Sequence, residues 1–231
     1  MPRAQNPPPR AVLTVEEAER LMVAPAPEGV GLRDRAILEA FYSTGLRRAE
    51  LCGLDCYDVD AAGGEVFVRQ GKGGRERIVP IGRRALEAIR AYAGSYRRRL
   101  AADRREPALF LSTLSGRRLG VKAVNLIVAQ HGERAGIPWR VMPITLRHTC
   151  ATHLLQGGVD VREVQAILGT ICLSATQIYT RMTTEDLVAV HHQHHPRERR
   201  RKAIERRAAA GVCSELSLRV KRDSSSVGKW R

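Results

Sequence analysis

The chain lacks the marks of several protein classes. Its five cysteines, Cys52, Cys56, Cys150, Cys172 and Cys213, include no CxxC pair. Cys52 and Cys56 lie one helical turn apart, but no histidine sits at zinc-finger spacing from them. That argues against a disulfide scaffold and a zinc finger, and the thiols read as reduced groups of a cytosolic protein. No apolar run is long enough to span a bilayer, and no leader-like segment opens the chain, so no membrane partner is expected. No internal repeat recurs along the sequence.

Acidic residues are also short. There are 24 Asp and Glu against 39 Lys and Arg, giving a net charge of +15 and a pI near 10.6. An excess of this size implies a polyanionic partner, with nucleic acid the leading candidate. The plainer alternative is a solvated basic surface with a charged tail. Residues 197–231 hold twelve Lys/Arg against four Asp/Glu, a net +8, which leaves +7 on the rest. The body is therefore basic in its own right. With 231 residues, 43% of them hydrophobic, the chain can bury a sizeable core in one or two domains.

What is present is mostly helical patterning. Residues 1–12 open with a proline-rich segment, MPRAQNPPPR, read as a flexible arm. Thr14 is placed to cap a helix in LTVEEAERLM, whose glutamates fall in the first turn. LRDRAILEAFYSTG predicts a second helix stopping near Gly45, and a shorter third carries Arg47, Glu50 and Leu51. The period then changes: EVFVRQ and RERIVPI read as two strands joined by the turn GKGG, with Lys72 at its tip. RRALEAIRAYAGSYRRRL predicts one basic helix with an apolar stripe at Leu86, Ile89 and Ala93. LFLSTLSGRRLG reads as a short strand and turn, and VKAVNLIVAQHGERAGI as a helix ending near Gly136. Pro143 opens the helix of Arg147, and further helices follow in VDVREVQAIL, LSATQIYTR and TTEDLVAVHHQHH, the last stopped by Pro196. The fold class expected is mainly α with a small antiparallel β-sheet (α+β). Beyond Pro196, residues 197–231 read as a basic extension, part helix and part disordered.

Three stretches carry chemistry: TGLRRAEL (44–51), TLRHTCATHLL (145–155) and LGTICLSATQIYTR (168–181). They supply two arginines, Arg47 and Arg147, and a tyrosine, Tyr179. Two guanidinium forks can hold one phosphate through charge-assisted bidentate hydrogen bonds. A tyrosine hydroxyl can attack that phosphate, and the Lys72 ammonium can protonate the departing oxygen. Each residue has a plainer reading. Arg47 can pair with Glu50, Arg147 can be an ordinary helix residue, Lys72 a solvated turn lysine, and Tyr179 a packed tyrosine. His191 and His195, four residues apart in HHQHH, could bind zinc on a helix, but the structural reading is preferred.

In their order and spacing, these motifs resemble the catalytic domain of the tyrosine recombinases, closest to Xer-type and integrase-type enzymes, from Leu13 to about Arg197. The resemblance implies that Arg47, Lys72, Arg147 and Tyr179 are catalytic and act on double-stranded DNA without metal or other cofactor. It places the catalytic domain at residues 13–196. It implies DNA recombination or integration by strand cleavage and rejoining through a 3′-phosphotyrosyl intermediate. The expected setting is the cytoplasm, with the bacterial nucleoid. The expected partners are double-stranded DNA and either a homo-oligomer on DNA or an assembly with another recombinase.

The chain departs from the family pattern at two positions. The family has a histidine three residues before the second arginine, where this chain has Ile144, and a histidine or tryptophan after LG, where it has Thr170. These are read as vacated positions that reduce or abolish activity. The alternative is then an inactive DNA-binding remnant or regulator of an intact recombinase. His148, next to Arg147, is assigned by the resemblance to a buried supporting role. The family's N-terminal core-binding domain has no counterpart in this sequence, so DNA affinity is expected to lean on the basic extensions.

Overall fold

A computed structural model describes residues 12–69, 76–169 and 184–197. Within them run α1 (Val15–Val23), α2 (Val30–Thr44) and α3 (Arg48–Gly53), then a 3₁₀ turn at Cys56–Asp58. Strands β1 (Val59–Asp60), β2 (Glu65–Val68) and β3 (Arg77–Pro80) follow. The remaining helices are α4 (Arg83–Ala91), α5 (Arg97–Leu100), α6 (Val121–Arg134), α7 (Pro143–Gln156), α8 (Val161–Leu168) and α9 (Thr184–His194). The mainly helical class with a small antiparallel sheet is the observed one.

The core is organised around α2. Twelve of its fifteen residues are buried, so neighbours surround it on every side. Phe41, Ile37 and Leu38 are fully shielded from water. Its buried polar groups find partners: Arg33 pairs with Asp34 at 2.7 Å, and His131 of α6 donates to the other Asp34 oxygen at 3.0 Å. The expected cap on α1 is a reciprocal box. Thr14 Oγ1 accepts from the Glu17 amide at 3.1 Å, and Glu17 Oε2 accepts from the Thr14 amide at 2.8 Å.

The sheet is antiparallel in the order β1-β2-β3, with Val68 opposite Arg77 and Glu65 opposite Pro80. β1 was not expected; at two residues it is too short to show any periodicity. Residues 109–118 form an isolated bridge, Leu111 opposite Arg118, in place of a strand. The single basic helix expected over 83–100 is broken. A π-helical turn at Tyr92–Tyr96 separates α4 from α5, and the buried position after Ile89 is Tyr92, three residues on, in place of Ala93. The Tyr92 hydroxyl accepts from the Leu111 amide at 3.2 Å, and its burial pushes the phenol up to about 12.

α9 is clasped to the C-terminal end of α2, where helical carbonyls lack intrahelical partners. His191 Nε2 donates to the Ser43 carbonyl at 2.7 Å, and His195 Nε2 donates to the Tyr42 carbonyl at 3.1 Å. The two imidazoles stack with centroids 4.8 Å apart. Their role is structural: both Nε2 atoms are spent on backbone carbonyls of α2. Among the described residues no cluster of three or more His, Cys, Asp or Glu side chains could hold a metal ion. Arg197 is also buried, paired with Glu39 and, at 2.9 Å, with Glu19. Arg197 thus belongs to the packed body.

Candidate active site

The turn after α2 creates the first half of the site. Gly45 ends that helix in the left-handed conformation, with φ of 60°. A Cβ there would come within 2.4 Å of a Leu168 methyl, which could swing aside, so it is the left-handed conformation that favours glycine. Arg47, two residues on, is half-buried at the N-terminus of α3. Its amide donates to Glu50 Oε2 at 2.8 Å, and its Nη1 to Glu50 Oε1 at 2.8 Å. Its Nη2 donates to the Gly169 carbonyl at 3.1 Å.

Arg147 arrives from α7, which opens on Pro143 at a position where a missing amide hydrogen costs nothing. Arg147 is buried. Its Nη1 donates to the Gly45 carbonyl at 2.6 Å and its Nη2 to the Leu168 carbonyl at 2.7 Å. One guanidinium therefore ties the turn after α2 to the end of α8. Gly169, left-handed at φ 61°, closes α8 and turns its carbonyl to Arg47. The first two motif stretches and the Leu168–Gly169 start of the third meet here.

A third arginine was missed from the sequence. Arg77, the first residue of β3, donates to Glu50 Oε1 at 2.9 Å and to Glu50 Oε2 at 2.8 Å. Glu50 is thus the shared counter-charge of Arg47 and Arg77. Burial alone would raise its carboxyl, but hydrogen bonds from Arg77 and Arg47, with their charge, outweigh this and hold it down to about 2. Burial pulls the Arg147 guanidinium down to about 10, and the nearby cations Arg47 and Arg77 add to the shift against the opposing Glu50. Three guanidinium groups around one carboxylate leave an uncompensated positive field that suits a dianion or diester.

Beside this cluster opens a cavity of about 390 Å³, lined by Arg47, Arg48, Arg147, Asn125, Ile144 and the apolar Leu46 and Met142. Ile144 is 56% exposed, an unusual degree of contact with water for so apolar a side chain. It stands one turn before His148 on α7, and both face outward. The buried role expected of His148 is therefore corrected: it is exposed. Position 148 lies about 100° around the helix from the inward-facing Arg147. The buried histidine of α7 is His153, whose Nδ1 hydrogen-bonds the Tyr42 hydroxyl at 2.8 Å. Lys72, Thr170 and Tyr179 fall outside the described residues.

Comparison with known proteins defines the class. The phage integrase family pattern matches residues 11–186, and the chain belongs to that family, the tyrosine recombinases. It is 43% identical over 197 residues to tyrosine recombinase XerC 2 of Ralstonia nicotianae, covering 85% of this chain and 56% of the relative. It is 44% identical over 198 residues to tyrosine recombinase XerD of Bifidobacterium longum, covering 81% of this chain and 63% of the relative. The chain thus spans less than two thirds of the length of these relatives. Among solved structures it resembles the XerA recombinase at 34% identity and a TM-score of 0.62, over 80% of this chain and 65% of that one. It also resembles the XerH site-specific recombinase bound to its difH substrate, at 25% identity and a TM-score of 0.61, over 74% of this chain and 50% of that one. No helix among the described residues is long and apolar enough to cross a membrane.

Proposed function

We propose that the chain binds duplex DNA and that Arg47 and Arg147 grip the scissile phosphate in a strand cleavage and rejoining reaction. The observation that carries this is the pair of guanidinium groups held on backbone carbonyls and Glu50 beside an open cavity. Groups fixed before the substrate arrives need no reorganisation as charge develops on phosphorus. In the reaction, the Tyr179 hydroxyl attacks phosphorus. Its oxygen gives its proton to water and forms the new P–O bond as the bond to the 5′-oxygen breaks, and Lys72 gives the leaving oxygen a proton. The 3′-phosphotyrosyl link conserves the bond energy, so rejoining needs no metal or nucleotide. The relatives named as tyrosine recombinases, and the XerH site-specific recombinase solved bound to its difH substrate, support the DNA partner.

The reaction is expected to be slow. Ile144 lines the cavity and can neither donate a hydrogen bond to the phosphate nor accept the tyrosine proton. Loss of a positioned acid–base group costs about 10²–10⁴ in rate, and loss of one donor to the transition state about 10²–10³. The exposed Ile144 also favours a second reading, a DNA-binding regulator of an intact recombinase that no longer cuts. A nicked suicide duplex separates the two, using a site recovered by selection from random sequence. Slow accumulation of a covalent protein–DNA band supports the recombinase. Saturable binding with no band supports the regulator, and no preference for any duplex over heparin rejects both.

A further inference from the structure

Asn125 carries an amide oxygen left unpaired among the described residues. It sits on α6, half-buried, and lines the cavity that Arg47, Arg147 and Ile144 share. Its Oδ1 is shut off from solvent and has no hydrogen-bond partner among the described residues. Buried polar atoms are almost always paired, and one left open beside a cavity that arginines help to line points to a partner that arrives with the ligand. An asparagine amide can turn about its last bond, exchanging oxygen and nitrogen at small steric cost. The same slot can therefore hold the carbonyl when the cavity faces only arginines, and the NH₂ donor when an anion is present.

We infer that Asn125 is a further catalytic residue, donating an amide hydrogen to a non-bridging oxygen of the phosphate gripped by Arg47 and Arg147. This rests on the phosphate reading of that pair. Ile144 reaches the cavity from α7 and offers no donor, while Asn125 reaches it from α6 and does. A phosphate between the two arginines keeps an oxygen turned toward this wall. A neutral amide there supplies one preorganised hydrogen bond and no proton transfer. It therefore offsets part of what Ile144 withholds from transition-state charge and nothing of what it withholds from acid–base chemistry.

The sequence offers a clean test, because asparagine occurs only at positions 6 and 125. The full chain labelled with ¹⁵N-asparagine shows two side-chain amide pairs, and Asn6→Gln assigns them. Titration with inorganic phosphate is expected to move the Asn125 pair along a saturating curve and leave the Asn6 pair in place. Asn125→Asp, which keeps the shape and adds a like charge, should weaken phosphate binding about tenfold or more. Arg47→Gln, made in parallel, reports on the arginine pair itself. If Arg47→Gln abolishes phosphate binding while the Asn125 amide never moves and Asn125→Asp binds normally, the phosphate site stands and the role of Asn125 is wrong. If wild type and Arg47→Gln bind phosphate equally, or neither binds, the phosphate site itself is wrong and the role of Asn125 falls with it.

Discussion

Glu50 shows how a site made of like charges stays folded. Two of the three guanidinium groups near it bond its carboxylate directly, and that carboxylate titrates at about 2 instead of the ordinary 4.5. A depressed carboxyl binds fewer protons in the folded state than in the unfolded one. Its stabilisation is therefore fully present above 4.5 and is lost as pH falls through that value toward 2. Glu50→Gln should accordingly be less stable than wild type at neutral pH, with the difference shrinking as pH drops below 4.5. Urea melts of the two proteins across that range check this, and a difference that stays constant with pH would mean the carboxylate charge is idle. The arginines themselves were legible as residues, since GLR and LRH are local motifs. The groups that hold them were not. Gly45 lies 102 residues from Arg147, and Gly169 lies 122 residues from Arg47, so no spacing rule connects them. Arg77 was open to discovery, being a basic residue just after the GKGG turn, but its role depends on the sheet register. Nothing in the sequence marked Asn125.

At the scale of elements, the sequence was most readable where each segment settles its own structure. The cap at Thr14, the stop at Gly45, the start at Pro143 and the two strands after Glu65 all follow from local chemistry. The π-helical turn at Tyr92–Tyr96 did not, because it answers a distant partner, the Leu111 amide. The exposure of His148 depends equally on what α7 packs against. The clasp of α9 on α2 bears on function, since α2 leads directly into Gly45 and Arg47. Burial holds His195 well below its ordinary 6.5, and the neighbouring His191 adds to this; His153 and Arg197 face it as well. An imidazole that stays neutral in the fold favours the folded state above 6.5 and disfavours it as acidification charges the unfolded chain. Hydrogen exchange of α9, corrected for its intrinsic pH dependence, should therefore show falling protection below 6.5. His195→Gln should blunt that fall, and an unaltered fall would assign it to another group.

The whole molecule carries its charge in two parts. Arg197 is buried and paired, which leaves residues 198–231, with eleven Lys/Arg against four Asp/Glu and a net +7, as the charged remainder of the extension. Each phosphate that such residues neutralise on duplex DNA contributes about −0.9 to the slope of log K against log salt. Deleting residues 198–231 should flatten that slope and leave any sequence preference intact. A truncated chain with an unchanged slope that no longer self-associates would make the segment an assembly element instead.

Central to the proposed reaction is Tyr179 acting on a phosphate that Arg47 and Arg147 hold, hampered by Ile144 and Thr170. The most direct test is to trap the protein on a nicked suicide duplex, digest the adduct and locate the nucleotide by mass spectrometry, in wild type and in the Ile144→His, Thr170→His double variant. The expected product is a 3′-phosphate on Tyr179 in both, forming about 10² times faster or more in the double variant. An adduct on any other residue, or no adduct even with both histidines restored, would contradict it.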